Sequence, residues 1–250
     1  MSAAEPFDHF LAKLEADVVG PDREMPSWLW QMAAVLFDGQ DAATSTDWAR
    51  RLYLELERLG GRVPFSVVHD WHAHIVAPML AESSERRGGD VGLQRAVQQL
   101  HARALAKEHV EEAEWKAALG PALQEVYAHA YAYAEAYATA RANCYAFAIA
   151  NDYGEEKSAD YAESYAKLNT SANERSYADA HSMANTRAAA AAYSTADAQA
   201  YAEAYPSAHV HVYAHAWANQ GELAGQDERR RAAYRRLADG LTDSLARTAA

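Results

Sequence analysis

The sequence predicts a mainly α-helical protein, and three observations carry that prediction. Alanine, the strongest helix former, supplies 59 of the 250 residues. Ala188–Ala192 is a run of five alanines, natural in a helix and awkward in a sheet. The first half carries apolar residues at helical spacing, most clearly Trp48, Leu52, Leu56 and Leu59. Composition divides the chain into residues 1–121, a helical globular domain, residues 122–220, an Ala/Tyr-alternating repeat-like region, and residues 221–250, a C-terminal amphipathic helix.

In the first segment, Ser27 is placed to cap a helix from Trp28 to about Asp38, stopped by Gly39. Thr46 or Asp47 starts the next helix, which ends before Gly60-Gly61. Pro64 opens a stretch from about Phe65 to Glu82 with Val68, Trp71, Ile75 and Leu80 apolar, and Pro78 should kink or end it near Ala77. After the loop Gly88-Gly89-Asp90, a longer helix is expected from about Leu93 to Leu119, with Leu93, Val97, Leu100, Leu105 and Val110 inward. Gly120-Pro121 then closes the segment.

From Tyr127 to Asn219 the pattern changes. Alanine occupies 29 of the 46 even-numbered positions, whereas only Ala159, Ala189 and Ala191 fall on odd ones. Tyr137, Tyr145, Tyr153, Tyr161, Tyr177, Tyr193 and Tyr201 lie on an eight-residue grid, with Asn169, Asn185, His209 and Trp217 at its other points. Alternation is the signature of a strand, so a β-solenoid over residues 127–219 is the alternative architecture. The stretch is poor in β-branched residues and has only Gly154 and Pro206 as breakers, so the corners of a solenoid lack turn chemistry. Packed helices are therefore the expected form, with breaks near Asn151–Gly154, Asn169–Asn173 and Pro206. The final stretch, Gln226 to Arg247, sets Tyr234, Leu237, Leu241 and Leu245 on one face.

Composition narrows the function classes. A net charge of -12 leaves no basic face for phosphates, so no nucleic-acid partner and no membrane surface is expected. No stretch offers 18 apolar residues of membrane quality. The acidic N-terminus lacks the features of a signal peptide, and a cytoplasmic location is expected. Cys144 is the single cysteine, which excludes an intramolecular disulfide and a thiolate metal cage. The basic run Arg229, Arg230, Arg231, Arg235 and Arg236 reads as the solvated face of the last helix.

Two histidine groups are the candidate metal or proton-sensing residues. In the first, His69 and His72 are neighbours on a helix, and Asp70 shares another face with His74. In the second, His209, His211 and His215 align if the piece is a strand; on a helix only His211 and His215 remain neighbours. Neutral imidazoles with a carboxylate suit Zn, Fe, Ni or Mn, but a site needs three or four convergent ligands. The ordinary reading of both groups is a polar helix edge. No nucleophile elbow, phosphate-binding loop or dinucleotide fingerprint occurs. The expectation is a non-enzymatic scaffold or regulatory protein without a cofactor, acting on a protein partner or as a homo-oligomer. The alternative is a metal- or pH-responsive binding protein.

Overall fold

A computed structural model describes residues 25–130, 134–219 and 224–249, with the side chains at 134–139 and 167–177 also outside the described set. The acidic N-terminus and the grid side chains of Tyr137, Asn169 and Tyr177 lie outside the described residues. Every regular element is helical, and among the described residues there is no strand, so the solenoid alternative fails. The reason is local: alanine-rich windows satisfy their backbone hydrogen bonds within the helix, and the tract has no corners to bend a strand.

The elements are α1 (Ser27–Asp38), α2 (Ala42–Arg58), α3 (Ser66–Trp71), a π-helical turn (His72–Val76) and α4 (Ala77–Arg86). They are followed by α5 (Val91–Leu105), α6 (Glu112–Ala130), α7 (Ala134–Ala150), α8 (Glu155–Thr195), α9 (Ala198–Glu203), α10 (Pro206–Ala218) and α11 (Gln226–Arg247). No described helix is long and apolar enough to cross a membrane.

Several boundaries differ from expectation for identifiable reasons. Helix α2 starts earlier than Thr46, because Asp41 accepts a hydrogen bond from the Thr44 amide and caps it. Near Pro78 the expected disturbance takes the form of the π turn, and α4 restarts at Ala77 with the proline in its first turn. Proline has no N–H to donate, and its ring crowds the carbonyl four residues back, a conflict that a widened turn relieves. The expected helix from Leu93 to Leu119 is instead two, interrupted where Lys107 takes a left-handed conformation with φ 63°. Gly120-Pro121 lies inside α6, where burial of Trp115, Leu119, Ala122, Leu123 and Val126 on one face outweighs the local breakers.

The core gathers residues from all three sequence segments. The α2 stripe is buried as its spacing requires, with Trp48, Leu52, Leu56 and Leu59 inward. Trp48 and Trp71 each bury their ring and donate the indole N–H to the Ala238 and Leu237 carbonyls of α11, at 2.8 and 2.9 Å. The C-terminal helix is thereby pinned across the N-terminal ones. Gly240 permits this approach, since a Cβ there would overlap the Ile75 side chain. The arginines of α11 stay outside as expected, and Arg236 grips Glu82 with both terminal nitrogens at 2.5 and 2.6 Å.

The long helix α8 spans 41 residues, roughly 60 Å at 1.5 Å per residue. Its C-terminal half packs along α6 in the body, burying Ala189, Ala190 and Ala192 of the alanine run. Its N-terminal half pairs with α7, which packs principally on α8, so the two form a helical hairpin. The seam of this hairpin is made of small residues: Ala148, Ser158, Ala162 and Ala166 are fully buried.

Candidate functional site

The π turn and its neighbours build a sealed cluster of imidazoles and phenols. His69 on α3 and His72 at the first π position both face inward, His101 joins them from α5, and His209 enters from α10. Trp115 of α6 and Tyr193 of α8 close the cluster. Tyr201 and Tyr213 reach it because the chain doubles back twice. Ala196 ends α8 at φ 50°, Asp197 caps α9, and Tyr205 at φ 54° precedes α10. Two non-glycine residues in the left-handed region cost of order 1–3 kcal/mol each, so surrounding packing must enforce this path.

Within the cluster, His69 Nδ1 lies 3.0 Å from His101 Nδ1. Such a contact needs one ring to donate and the other to accept, so both rings must be neutral or only one charged. His72 stacks on His101 with ring centres 4.5 Å apart and an interplanar angle of 8°, and its Nε2 is hydrogen-bonded to the Tyr193 hydroxyl at 3.1 Å. Among the described residues, neither ring nitrogen of His209 nor Nε2 of His101 has a hydrogen-bond partner. Burial disfavours charge throughout. It pushes His69 and His209 down to about 4 and His72 and His101 well below the usual imidazole range, with neighbouring histidines adding to the last two. Burial likewise raises the Tyr193 and Tyr213 phenols well above their ordinary range. The cluster is therefore neutral near pH 7 and intolerant of protons.

The sequence-identified histidines separate. His69, His72 and His209 enter the core, whereas His74 points outward and is hydrogen-bonded to the Asp70 carbonyl at 3.0 Å, close to the Asp70 carboxylate that Arg247 also engages. His211 Nδ1 is 2.6 Å from the Tyr234 hydroxyl, and His211 and His215 are neighbours with ring centres 6.4 Å apart, the helical arrangement. Burial also lowers His215, to about 4, with Arg230 and His211 contributing. Among the described residues, no group of three or more His, Cys, Asp or Glu is arranged to hold a metal ion. The His69–His101 pair brings two ring nitrogens together, fewer than a metal centre needs. His101 was not singled out by sequence, although its position four residues after Val97 on the buried stripe of α5 carried the signal.

A second feature lies on the surface. Of the eight exposed large apolar residues among the described residues, six belong to α7, α8 or the loop between them: Tyr145, Phe147, Ile149, Tyr153, Tyr165 and Met183. Near the hairpin tip the aromatics form a connected patch. Tyr161 touches Phe147, Tyr153 and Tyr165, with ring centres 6.3, 5.7 and 5.6 Å apart. No protein-family model, no curated protein and no solved structure matches the chain.

Proposed function

We propose that this chain is a non-enzymatic interaction protein, in which the helical body anchors the α7–α8 hairpin as a docking arm for a protein partner. The observation that supports this is the placement of exposed apolar side chains: of the eight large ones among the described residues, five (Tyr145, Phe147, Ile149, Tyr153 and Tyr165) lie on the hairpin. An isolated exposed leucine means little, but a connected aromatic patch on a hairpin matches the composition of contact surfaces, where Tyr and Phe are enriched. The reading places the contact in the cytoplasm on composition, since a single cysteine offers no intramolecular disulfide to an oxidising compartment.

A photo-crosslinking residue at position 147, compared with one at the exposed position 50, tests the reading in cells of the source organism. Adducts specific to position 147, either with another protein or with a second copy, are expected. Identical adduct patterns at the two positions, or none from 147, would refute it.

A second reading has its own observation. The buried imidazole cluster, with its His69–His101 contact that two charged rings cannot make, supports a proton-responsive protein whose body loosens in acid. Unfolding free energy measured as a function of pH tests it.

A further inference from the structure

Resting on the docking-arm reading, we infer that the hairpin tip takes a basic amphipathic protein segment, one that offers an apolar face flanked by Lys or Arg, rather than a second copy of this chain. Area and charge argue for it together. Phe147, Tyr153 and Tyr165 are 54%, 45% and 45% exposed, and Tyr145 and Ile149, four residues apart on the other flank of α7, are 38% and 41% exposed. With aromatic side chains burying 150–250 Å² each when covered, Phe147, Tyr153 and Tyr165 together offer roughly 300 Å² of apolar surface at the tip. That is large enough to act as a contact patch. Two copies joined tip to tip would bury only about 600 Å² of apolar surface, a small part of the ~1,200–2,000 Å² total of stable interfaces.

Charge works in the same direction. Residues 141–166 hold five acidic groups against two basic ones. Arg141 is engaged by Glu163 at 3.3 Å, which leaves Lys157 beside Asp152, Glu155, Glu156 and Asp160, all exposed. A second copy would bring like charge to like charge around a small apolar contact, which disfavours it. A partner with cations flanking its own apolar side chains relieves that repulsion and adds the missing area. Helix-in-groove recognition of an amphipathic segment has this form, with apolar anchors giving affinity and rim charges giving steering. An anionic membrane or a nucleic acid is repelled by the same acidic rim.

The test uses the full chain and three labelled 18-residue peptides, read by fluorescence anisotropy at 0.15 M salt. One is a Leu/Lys amphipathic helix, one carries Glu in place of Lys, and one has the Leu/Lys order scrambled to abolish the apolar face. The Leu/Lys helix should bind and the other two should not. The Phe147→Ser/Tyr153→Ser variant should weaken binding tenfold or more while keeping its helical circular dichroism, because both side chains are half exposed. Asp152→Asn/Glu155→Gln/Glu156→Gln should weaken it several-fold and flatten its salt dependence. Glu57→Gln/Glu85→Gln/Asp243→Asn, an equal charge change on the body, should leave it unchanged. The inference is overturned if the Glu peptide binds equally, if both charge variants behave alike, or if neutral phosphatidylcholine vesicles capture the protein and the Leu/Lys peptide does not. Should crosslinks from position 147 persist while the Leu/Lys peptide fails, the partner chemistry is wrong and the docking arm stands. Should both fail, the arm reading falls with it.

Discussion

Acidification from pH 7 to pH 5 should remove a large part of this protein's stability, and the buried imidazoles set the amount. His69 and His209 are held at about 4 in the fold, against 6.5 for a free imidazole. Between those values the unfolded chain binds protons that the folded one refuses. Their contribution is intact above pH 6.5 and is lost as the pH falls toward 4. Each such histidine costs about 1.4 kcal/mol per pH unit in that window, so about 2 kcal/mol at pH 5, and the pair about 4 kcal/mol. His72 and His101 are displaced in the same direction and add to the loss. A domain of ordinary stability has only about 5–15 kcal/mol to lose. Urea unfolding at pH 7.0, 6.0, 5.5 and 5.0, followed by tryptophan fluorescence and far-UV circular dichroism, measures the slope. His209→Leu supplies the control. Neither ring nitrogen of His209 is hydrogen-bonded among the described residues, so its removal forfeits no bond and should flatten the slope by one proton. Equal unfolding free energies at pH 7 and pH 5, within about 1 kcal/mol, would refute the neutral-cluster argument, as would an unchanged slope in His209→Leu.

Two further outcomes probe the body and the arm separately. Trp71→Phe removes the indole donor to the Leu237 carbonyl and part of a fully buried side chain, and should cost about 1–3 kcal/mol, read as a lower thermal midpoint with the helical spectrum retained. Ala162→Leu overfills the small-residue seam of the hairpin and should cost about 1–3 kcal/mol there. Hydrogen exchange should then accelerate across residues 141–166 while the amides of α2 and α11 keep their protection. Uniform acceleration through the chain would contradict the separation of arm from body.

Where one helix face alone is apolar, the sequence is legible in detail. The α2 stripe and the α11 face were readable because burial of one side forces a 3.6-residue period, and both lie inward as spaced. The histidine cluster was only half readable. His69 and His72 are local neighbours, but their partners His101, Tyr193 and His209 come from distant helices, and contact across helices depends on packing that no short window records. The helical spacing does place His74 correctly, on another face beside Asp70, because a two-residue step from His72 carries it round the helix. Pro121 lies inside α6 because a proline's local penalty of a few kcal/mol is outweighed when the helix around it buries a full face.

The Ala/Tyr tract shows why its alternation carries less information than its regularity suggests. In a helix an eight-residue step turns about 80° away from its starting face, so a tyrosine grid cannot keep one environment. Tyr153 is half exposed at the tip, while Tyr193 and Tyr201, on the same grid, are buried against Trp28, Phe65 and Trp115. What decides each tyrosine's environment is the helix's neighbour. Along the body, α8 meets α6 and the N-terminal helices, whose large side chains draw the phenols inward. Along the hairpin, the buried seam between α8 and α7 among the described residues is Ala148, Ser158, Ala162 and Ala166, and small residues hold the two helices together without a large side chain in that seam. The large side chains of that half are consequently left outside. A seam of small residues thus does two things at once: it permits a hairpin with almost no core of its own, and it leaves Phe147, Tyr153 and Tyr165 on the surface.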